Sequence, residues 1–253
     1  MKLQNRVSIV TGASSGVGAE TAVLLAKHGM KVIVNYFNNE AGALKTQQRI
    51  TQLGGIAEIY KADISIDKSC RDLVNFCIEK YNQLDVLINN AGTTHFVPHD
   101  ELELLSDDIW HSTLNTNLIG PFYMSRAAVE HLKVRCGGEI VMTSSIAGLT
   151  THGSSIAYCA SKAGLNSLTK TLAKSLGKHN IRVNAICPGL IDNEWSEQGW
   201  GEHWQQAKEY TLKASAINHI SKPEDVAAAI AQILMGPDNL TGQIINLDSG
   251  LTL

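Results

Sequence analysis

Short apolar, β-branched runs alternate along this chain with longer stretches in which apolar positions recur at helical spacing. Runs such as DVLINN and IVMTS carry several apolar residues in succession rather than at every second position. Continuous runs of this kind are typical of strands whose two sheet faces are both covered. The pattern therefore predicts an α/β fold, a doubly wound parallel sheet with helices on both faces.

Seven strands are predicted, and each is separated from the next by a helical or irregular stretch. The expected strands are Val7–Thr11, Lys31–Asn35, Ala57–Lys61, Val86–Asn89, Glu139–Thr143, Arg182–Ile186 and Gln243–Leu247. The expected helices lie near residues 17–28, 40–53, 68–81, 107–134, 155–178 and 223–235. Residues 190–213 are expected to be irregular to helical. Because no linker stands out, we expect a single domain over residues 1–253.

The composition favours a water-soluble protein with a sizeable core. Hydrophobic residues make up 44% of the 253 positions, and the mean hydropathy is -0.04. The net charge of -3 gives no reason to expect nucleic acid or an anionic membrane as a partner. No apolar stretch approaches the roughly 18 residues of a membrane span, and the start shows no signal-peptide core.

Cysteine and histidine usage predicts a cytoplasmic protein without a metal site. The five cysteines are scattered and form no CxxC pair, so reduced thiols are expected and structural zinc is not. The spacing of the histidines also matches no metal site. Those considered were His95, His99, His111 and His152.

The segment TGASSGVG places Gly12, Gly16 and Gly18 between the first strand and the first helix. Glycines there allow a tight turn and a close approach of the backbone to a pyrophosphate. The helix that starts near Val17 would direct its free N–H groups at the phosphates. An ordinary tight connection is the alternative, but the first strand-to-helix junction favours a dinucleotide. The segment lacks the Gly-Lys-Ser/Thr sequence of a P-loop.

The segment DVLINNAG predicts a second cofactor contact at the end of the fourth strand. In open α/β sheets, ligands bind beside the carboxyl ends of the strands. The small residues Ala91 and Gly92 would let the backbone approach the cofactor, with Asn89 and Asn90 bracing neighbouring strands. The alternative is a polar turn that the asparagines cap.

Tyr158 and Lys162 are four residues apart on a predicted helix and therefore share one face. Such a pair is weak evidence by itself, but Ser144 and Ser145 follow a predicted strand shortly before it. The Lys162 ammonium would lower the pKa of Tyr158 from about 10. Tyr158 would then exchange a proton with a substrate oxygen that Ser145 holds by a hydrogen bond.

Six segments together resemble the short-chain dehydrogenase/reductase family over essentially the whole chain. They are TGASSGVG, NNAG, NTNLIGPF, SSIAG, YCASK and IRVNAICPG, in that family's order and spacing. The resemblance is to the branch of 3-oxoacyl-(acyl-carrier-protein) reductases and glucose dehydrogenases. It implies a seven-stranded Rossmann-type domain, an NAD(P) cofactor and redox chemistry on alcohols and carbonyls.

The resemblance assigns catalytic roles by position in these motifs. The implied catalytic residues are Asn117, Ser145, Tyr158 and Lys162. Ser145 is favoured over Ser144 because it matches the family's spacing from serine to tyrosine. Asn117, favoured over Asn115, would hold a water that links Lys162 to solvent, and Lys162 would also bind the ribose of the nicotinamide half.

The resemblance and the glycine turn together give a set of expected cofactor contacts. They are Gly12, Ser14, Ser15, Gly16, Val17, Gly18, Asp63, Asn89, Ala91, Gly92, Tyr158, Lys162, Pro188, Gly189 and Ile191. Asp63 resembles the aspartate beside the adenine, and Pro188 with Gly189 matches the residues beside the nicotinamide. Asn193 stands where the family commonly has a threonine that bonds the carboxamide or a phosphate.

The end of the second strand bears on the choice between NADP(H) and NAD(H). An acidic residue there would select NAD by bonding the ribose hydroxyls, but this chain has Tyr36 at that position. Phe37 follows where NADP-preferring members often carry arginine. Side chains that could bond a phosphate are those of Ser14, Asn35, Asn38 and Asn39. We expect NADP(H), the alternative being that Tyr36 and Phe37 stack near the adenine and both cofactors bind.

Residues 190–213 resemble the family's mobile lid over the substrate, and Gly199 and Gly201 would permit its movement. The segment contains three tryptophans, Trp195, Trp200 and Trp204. They predict an aromatic-lined pocket or, alternatively, packing on a neighbouring subunit. The expected substrate is a small carbonyl compound or secondary alcohol, with a 3-oxoacyl thioester, a sugar or polyol, and a hydroxysteroid all left open.

Partners and other function classes follow from the remaining features. Basic residues at Lys133, Arg135, Lys174 and Lys178 would dock an acyl carrier or simply form a solvated surface. The family implies a homo-oligomer, a tetramer or a dimer, packed through the two long helices. A non-catalytic NAD(P)-sensing protein would not need the intact catalytic set. A serine hydrolase using His152 would need a G-x-S-x-G turn, which the chain lacks.

Overall fold

The computed structural model describes residues 2–253, in which strands and helices alternate. The strands are β1 Val7–Val10, β2 Lys31–Tyr36, β3 Ile56–Lys61, β4 Val86–Asn89, β5 Gly138–Thr143, β6 Ile181–Pro188 and β7 Ile244–Leu247. The helices are α1 Gly16–Lys27, α2 Glu40–Gln52, α3 Asp67–Tyr81, α4 Asp107–Leu114, α5 Gly120–Val134, α6 Ile156–Leu176, α7 Glu194–Trp200, α8 Trp204–Ala214 and α9 Pro223–Met235.

All seven strands form one parallel sheet in the order β3-β2-β1-β4-β5-β6-β7. This confirms the predicted α/β fold. Every residue of β1, β4 and β6 is buried, which explains why these strands read as unbroken apolar runs. The edge strands β3 and β7 are only partly buried. One domain over residues 1–253 stays a prediction.

Helices cover both faces of the sheet, and each face has its own core. On one face, α1, α2 and α9 pack on the strands through residues such as Leu25, Ile50 and Ile230. On the other face, α3, α5 and α6 do so through residues such as Leu73 and Met124. This two-sided covering is what makes the sheet doubly wound.

The predicted helix near 107–134 is interrupted, which the sequence pattern did not show. Helix α4 runs into a π-helical turn over Asn115–Ile119, and α5 follows directly. A π-helical turn adds a residue to one turn and is often found at functional sites. The turn carries Asn117, one of the predicted catalytic residues.

The strand order reverses between β1 and β4, and a crevice opens beyond their carboxyl ends. Thr11 and Asn90 join the two strands at this point. The Asn90 side-chain amide donates to the Thr11 carbonyl oxygen at 3.0 Å, and the Asn90 backbone N–H donates to the Thr11 hydroxyl at 2.9 Å. Among residues 2–253, no helix is long and apolar enough to cross a membrane.

Candidate active site

A cavity of about 1780 Å³ lies at the carboxyl ends of the strands. The loops that follow β1 to β6 contribute to its walls, so residues far apart in sequence meet there. It extends from Phe37 and Asn38 after β2 to Trp195 and Trp200 of α7 and to the chain's last residue, Leu253. A cavity at this edge is where an open α/β sheet binds its ligands.

The N-terminus of α1 forms one wall of the cavity with Ser15, Gly16 and Val17. Within residues 2–253, no side chain caps this helix end, and its first turn contains no acidic residue. The first N–H groups of a helix need hydrogen-bond acceptors, and the helix dipole makes this end attractive to anions. The wall therefore fits a pyrophosphate, as the glycine turn predicted.

Two glycines of the turn are required by its packing. Gly12 has φ +62°, and a Cβ there would lie 2.8 Å from the Ala91 Cα. A Cβ on Gly18 would overlap the Gly12 carbonyl oxygen and the Asn90 side chain. Gly12 lines the cavity, whereas Gly18 lies outside it. Gly18 therefore packs α1 against the turn rather than facing the cavity, which is a correction to its expected contact.

The far end of the cavity contains Asp63 and the exposed ring of Phe37. One Asp63 oxygen accepts hydrogen bonds from the Ser65 N–H at 2.9 Å and the Ser65 hydroxyl at 2.7 Å, which fixes the carboxylate. Tyr36 packs in the core instead of lining the cavity. Burial, together with its hydrogen bond to Glu40, raises the pKa of Tyr36. Of the two aromatic residues, Phe37 is therefore the one placed to stack on an adenine.

The asparagines after β2 differ in their availability to a ligand. Asn35 is buried, and its side-chain oxygen accepts from the Gly12 N–H at 3.2 Å. The Asn39 side chain caps α2 by accepting from the Gly42 N–H at 2.9 Å. Asn38 lies on the cavity wall and is exposed. Ser14, on the glycine turn, also lines the cavity and is partly exposed. Asn38 and Ser14 are thus the side chains best placed to bond a phosphate.

The last residue of β4, Asn89, braces the strand, whereas the three residues after it line the cavity. The Asn89 side chain is buried and donates to the Ser125 hydroxyl at 3.3 Å, which ties β4 to α5. It lies outside the cavity, so its expected cofactor contact is corrected to a bracing role. Asn90, Ala91 and Gly92 line the cavity. The reason is strand geometry, since successive side chains point to opposite faces.

Helix α6 brings Tyr158 and Lys162 to the cavity one turn apart. Ser155 starts this helix, and its hydroxyl accepts from the Tyr158 N–H at 3.2 Å. The Lys162 Nζ lies 5.5 Å from the centre of the Tyr158 ring and donates to the Thr143 carbonyl oxygen at 2.8 Å. Lys162 is only 4% exposed. The predicted pairing of these two side chains on one helix face is what the structure shows.

Ser145 follows β5, and its side chain acts on the Tyr158 hydroxyl in the direction that lowers the Tyr158 pKa. The Ser145 oxygen accepts from the Ala147 N–H at 3.1 Å, which holds the side chain in place. Ser144 also lines the cavity, but it is 4% exposed, and its hydroxyl donates to the Lys162 carbonyl oxygen at 3.4 Å. The structure therefore places Ser145, rather than Ser144, beside the tyrosine hydroxyl.

The pKa values of Tyr158 and Lys162 are both shifted by burial, and the Tyr158 shift is opposite to the one expected from the sequence. Burial raises the pKa of Tyr158 to about 12, and Ser145 only partly opposes this. Burial lowers the pKa of Lys162 to about 8. The expected fall in the Tyr158 pKa is thus wrong for this structure, in which the pKa is raised. The reason is that desolvation of the buried hydroxyl outweighs the opposing effect of Ser145, while the Lys162 ammonium donates to the Thr143 carbonyl oxygen.

Asn117 is buried behind the cavity wall within the π-helical turn. Its side-chain oxygen accepts from the Thr93 N–H at 2.8 Å, and its amide donates to the Thr93 carbonyl at 2.8 Å. The amide also donates to the Ser161 hydroxyl at 3.1 Å, next to Lys162 on α6. The Asn117 side chain therefore fixes the loop after β4 against α6. Its predicted role in holding a water stays a prediction.

The end of β6 and the segment after it add Pro188, Gly189 and Ile191 to the cavity wall. Their contact with the cofactor stays a prediction. Asn193 caps α7, its side-chain oxygen accepting from the Ser196 N–H at 2.8 Å. The Asn193 amide nitrogen lies 3.7 Å from where a Gly16 Cβ would be. Asn193 thus faces the N-terminus of α1 across the cavity, where it can donate to a phosphate.

The substrate end of the cavity is aromatic. Trp195 and Trp200 of α7 line it, whereas Trp204 is 4% exposed and lies outside it. Phe96, in the loop after β4, faces both indoles, with ring centres 6.4 Å from Trp195 and 5.9 Å from Trp200. Sequence reasoning missed Phe96, whose only signal was a lone aromatic residue in the polar segment GTTHFVPH.

Comparison with known proteins identifies the family. The family model described as short chain dehydrogenase matches residues 6–202. The chain is 33% identical over 254 residues to a 7alpha-hydroxysteroid dehydrogenase of Bacteroides fragilis, covering 100% of this chain and 96% of the relative. It is 32% identical over 255 residues to the 3-oxoacyl-(acyl-carrier-protein) reductase FabG of Thermotoga maritima, covering 100% of both.

A crystal structure from Burkholderia xenovorans, described as a short-chain dehydrogenase/reductase, superposes with a TM-score of 0.90. The two chains are 32% identical, and the match covers 98% of each. The parallel sheet, the uncapped end of α1 and the arrangement of Ser145, Tyr158 and Lys162 agree with this likeness. The chain belongs to the short-chain dehydrogenase/reductase family and is an oxidoreductase acting on alcohol and carbonyl groups with a nicotinamide dinucleotide.

Proposed function

We propose that this protein interconverts an apolar ketone and the corresponding secondary alcohol, with NADP(H) preferred over NAD(H). The observation that carries the proposal is the meeting of Ser145, Tyr158 and Lys162 in a cavity whose walls continue into aromatic side chains. The cavity is also long enough to take a dinucleotide and a substrate together, since it reaches from the loop after β2 to α7 and the chain's last residues.

The residues present fit a dinucleotide. The N–H groups at the start of α1 would hold the pyrophosphate, with Asn193 facing them across the cavity. Asp63 and Phe37 would flank the adenine, and Pro188 with Gly189 the nicotinamide. When bound, the cofactor supplies or accepts the hydride.

The side chains of the pair handle the proton. With its pKa near 12, Tyr158 carries its proton at neutral pH and can donate it to a carbonyl oxygen during reduction. Ser145 is positioned to donate a hydrogen bond to the same oxygen. Lys162 would stabilise the phenolate that remains, because its Nζ lies beside the ring in a poorly solvated site. Returning a proton from solvent to Tyr158 completes the cycle.

Replacing Ser145 by alanine is expected to lower kcat by about 10²-fold or more, as for loss of a hydrogen-bond donor to a developing oxyanion. Ser144→Ala is the matched control, because Ser144 bonds the Lys162 backbone instead. Its kcat should stay within a few-fold of the unmodified protein. Steady-state kinetics of ketone reduction measure both variants. Equal losses in the two variants would contradict the assigned role of Ser145.

The preference for NADP(H) rests on the groups near the end of β2. Asn38 and Ser14 offer hydrogen bonds to a 2′-phosphate, and no aspartate or glutamate in residues 2–253 lines the cavity except Asp63. We expect NADPH to bind more tightly than NADH. Titration of each reduced cofactor, followed by its fluorescence, measures the two dissociation constants. A clear preference for NADH would overturn this part of the proposal.

The substrate class follows from the walls around the reacting oxygen. The aromatic end favours an apolar body over a sugar, and the hydroxysteroid dehydrogenase among the relatives supports this choice. Two of the basic residues considered for acyl-carrier docking are already paired, Lys133 with Glu130 and Arg135 with Asp85. A panel of ketones, acetoacetyl thioesters and sugars, assayed with both cofactors, tests the choice. Turnover confined to thioesters or sugars would contradict it.

We also propose a cytoplasmic homo-oligomer. Helix α5 exposes two large apolar side chains, Phe122 and Val134. Apolar residues left exposed on a long helix favour packing against a second copy. Size-exclusion chromatography with light scattering measures the number of subunits.

A further inference from the structure

Phe96 and helix α7 form a bridge across the substrate end of the cavity. The Phe96 ring meets Trp200 nearly edge-on, with an interplanar angle of 68°, and meets Trp195 at 59°. All three rings remain between 38% and 50% exposed. Large apolar side chains that stay this exposed inside a concave site favour an apolar ligand, because a ligand removes their surface from water.

The loop that carries Phe96 is fixed to the start of the catalytic helix. The Val97 N–H donates to the Ser154 carbonyl oxygen at 2.8 Å, and the Thr94 and Ser154 hydroxyls are hydrogen bonded. The His99 ring nitrogen Nε2 lies 3.0 Å from the Gly153 carbonyl oxygen. These contacts hold the loop against the residues that directly precede α6, so the Phe96 ring has a set position relative to Tyr158.

Gly199 gives α7 its close approach to this ring. A Cβ at Gly199 would overlap the outer edge of the Phe96 ring. Any larger residue at position 199 must therefore displace either the ring or the helix. The glycine lies between Trp195 and Trp200 in sequence, so the Phe96 ring fits against α7 where both indoles flank it.

The surroundings of this bridge carry little charge. Among residues 2–253, Asp63 and Lys162 are the charged side chains of the whole cavity, apart from histidines at its walls. Asp63 lies after β3, near Phe37 rather than the indoles, and Lys162 is held at Thr143. A substrate body between Phe96 and α7 thus meets aromatic faces and, among residues 2–253, no lysine, arginine, aspartate or glutamate side chain, which disfavours anionic molecules.

We propose that Phe96 is a specificity-determining residue and that Gly199 positions it, so that together with Trp195 and Trp200 they form a slot selecting flat, ring-bearing ketones over small open-chain ones. The inference rests on the proposed carbonyl reductase function and adds the shape of the substrate. Phe96 contacts the substrate body, while Gly199 acts through the Phe96 ring.

The test is a double-mutant cycle on the full-length protein with two probe ketones, 1-tetralone and butanone, and saturating NADPH. Phe96→Ala should lower kcat/KM for 1-tetralone about 5- to 10-fold, as for loss of an aromatic contact, and change butanone less than about twofold. Gly199→Ala should give a similar loss for 1-tetralone when Phe96 is present and no further loss when it is alanine. Gly177→Ala is the matched control, since no atom lies within 4 Å of its added Cβ.

The inference is overturned if the unmodified protein shows no preference for 1-tetralone, or if Phe96→Ala affects both ketones equally. It is also overturned if Gly199→Ala lowers kcat/KM for 1-tetralone equally in the unmodified protein and in Phe96→Ala. The glycine would then affect helix α7 without acting through the Phe96 ring. Quenching of tryptophan fluorescence by 1-tetralone gives a readout independent of turnover. If 1-tetralone binds in a way that depends on Phe96 but no ketone is turned over, the proposed function is wrong and the assignment of the slot stands. If ketones are turned over and Phe96→Ala changes none of the rates, only the assignment of the slot is wrong.

Discussion

Replacing Tyr158 by phenylalanine is expected to lower kcat by about 10³- to 10⁴-fold, which amounts to loss of measurable turnover in most assays. The hydroxyl is the group that the structure places against Ser145, and phenylalanine removes it while keeping the ring. Because burial raises the Tyr158 pKa to about 12, the hydroxyl keeps its proton at neutral pH and can serve as the proposed proton donor. A water molecule replacing it would be a weaker and less well-positioned acid.

Dinucleotide binding should largely survive in Tyr158→Phe, since the start of α1 and Asp63 are distant parts of the cavity wall. Single-turnover kinetics and a cofactor titration separate the two effects. Tyr123→Phe on α5 is the matched control, because Tyr123 lies outside the cavity and packs near Arg126. Near-normal turnover in Tyr158→Phe would refute the role of the hydroxyl.

Replacing Lys162 by methionine is expected to lower kcat by about 10²- to 10³-fold, through the loss of charge stabilisation beside the phenol. It should also weaken cofactor binding about tenfold, a change of about 1.4 kcal/mol, because the resemblance assigns the ribose contact to Lys162. Methionine is unbranched and fills much of the same space, so the buried site stays packed. Lys170→Met, an exposed position two turns along α6, is the matched control.

The same variant carries a pH signature. Burial lowers the pKa of Lys162 to about 8, so its positive charge is present below about pH 8 and is lost as the pH rises through that value. Turnover of the unmodified protein should therefore fall above about pH 8, and this limb should be missing in Lys162→Met. Unchanged kinetics and an unchanged pH profile in the variant would exclude Lys162 from the proton chemistry.

Local sequence patterns predicted the sheet, the glycine turn and the pairing of Tyr158 with Lys162, because each of these depends on interactions between residues close in sequence. Strands buried on both faces must be apolar throughout, as in β1, β4 and β6. Helix geometry alone sets Tyr158 beside Lys162. The glycine turn was also predictable from the sequence. Its positive φ and its close packing exclude any other residue at Gly12.

Other features depended on contacts between distant segments. Asn89 is expected to brace neighbouring strands, and the structure shows that it braces β4 against Ser125 of α5 instead. The π-helical turn at Asn117 brings the Asn117 side chain to Thr93, far from it in sequence. The pKa of Tyr158 is predicted to fall but is raised, because desolvation in the assembled cavity exceeds the opposing effect of Ser145. No sequence pattern shows how completely the rest of the fold removes a side chain from water.

The sequence by itself determined the α/β architecture, the glycine turn, the family and the tyrosine–lysine pair, because each depends on short segments of residues that are neighbours along the chain. Only the tertiary structure decided which residues shape the substrate end. Phe96 meets α7 because the loops after β4 and β6 converge at the same edge of the sheet. Such a meeting depends on strand order, so the sequence carried no local sign of it.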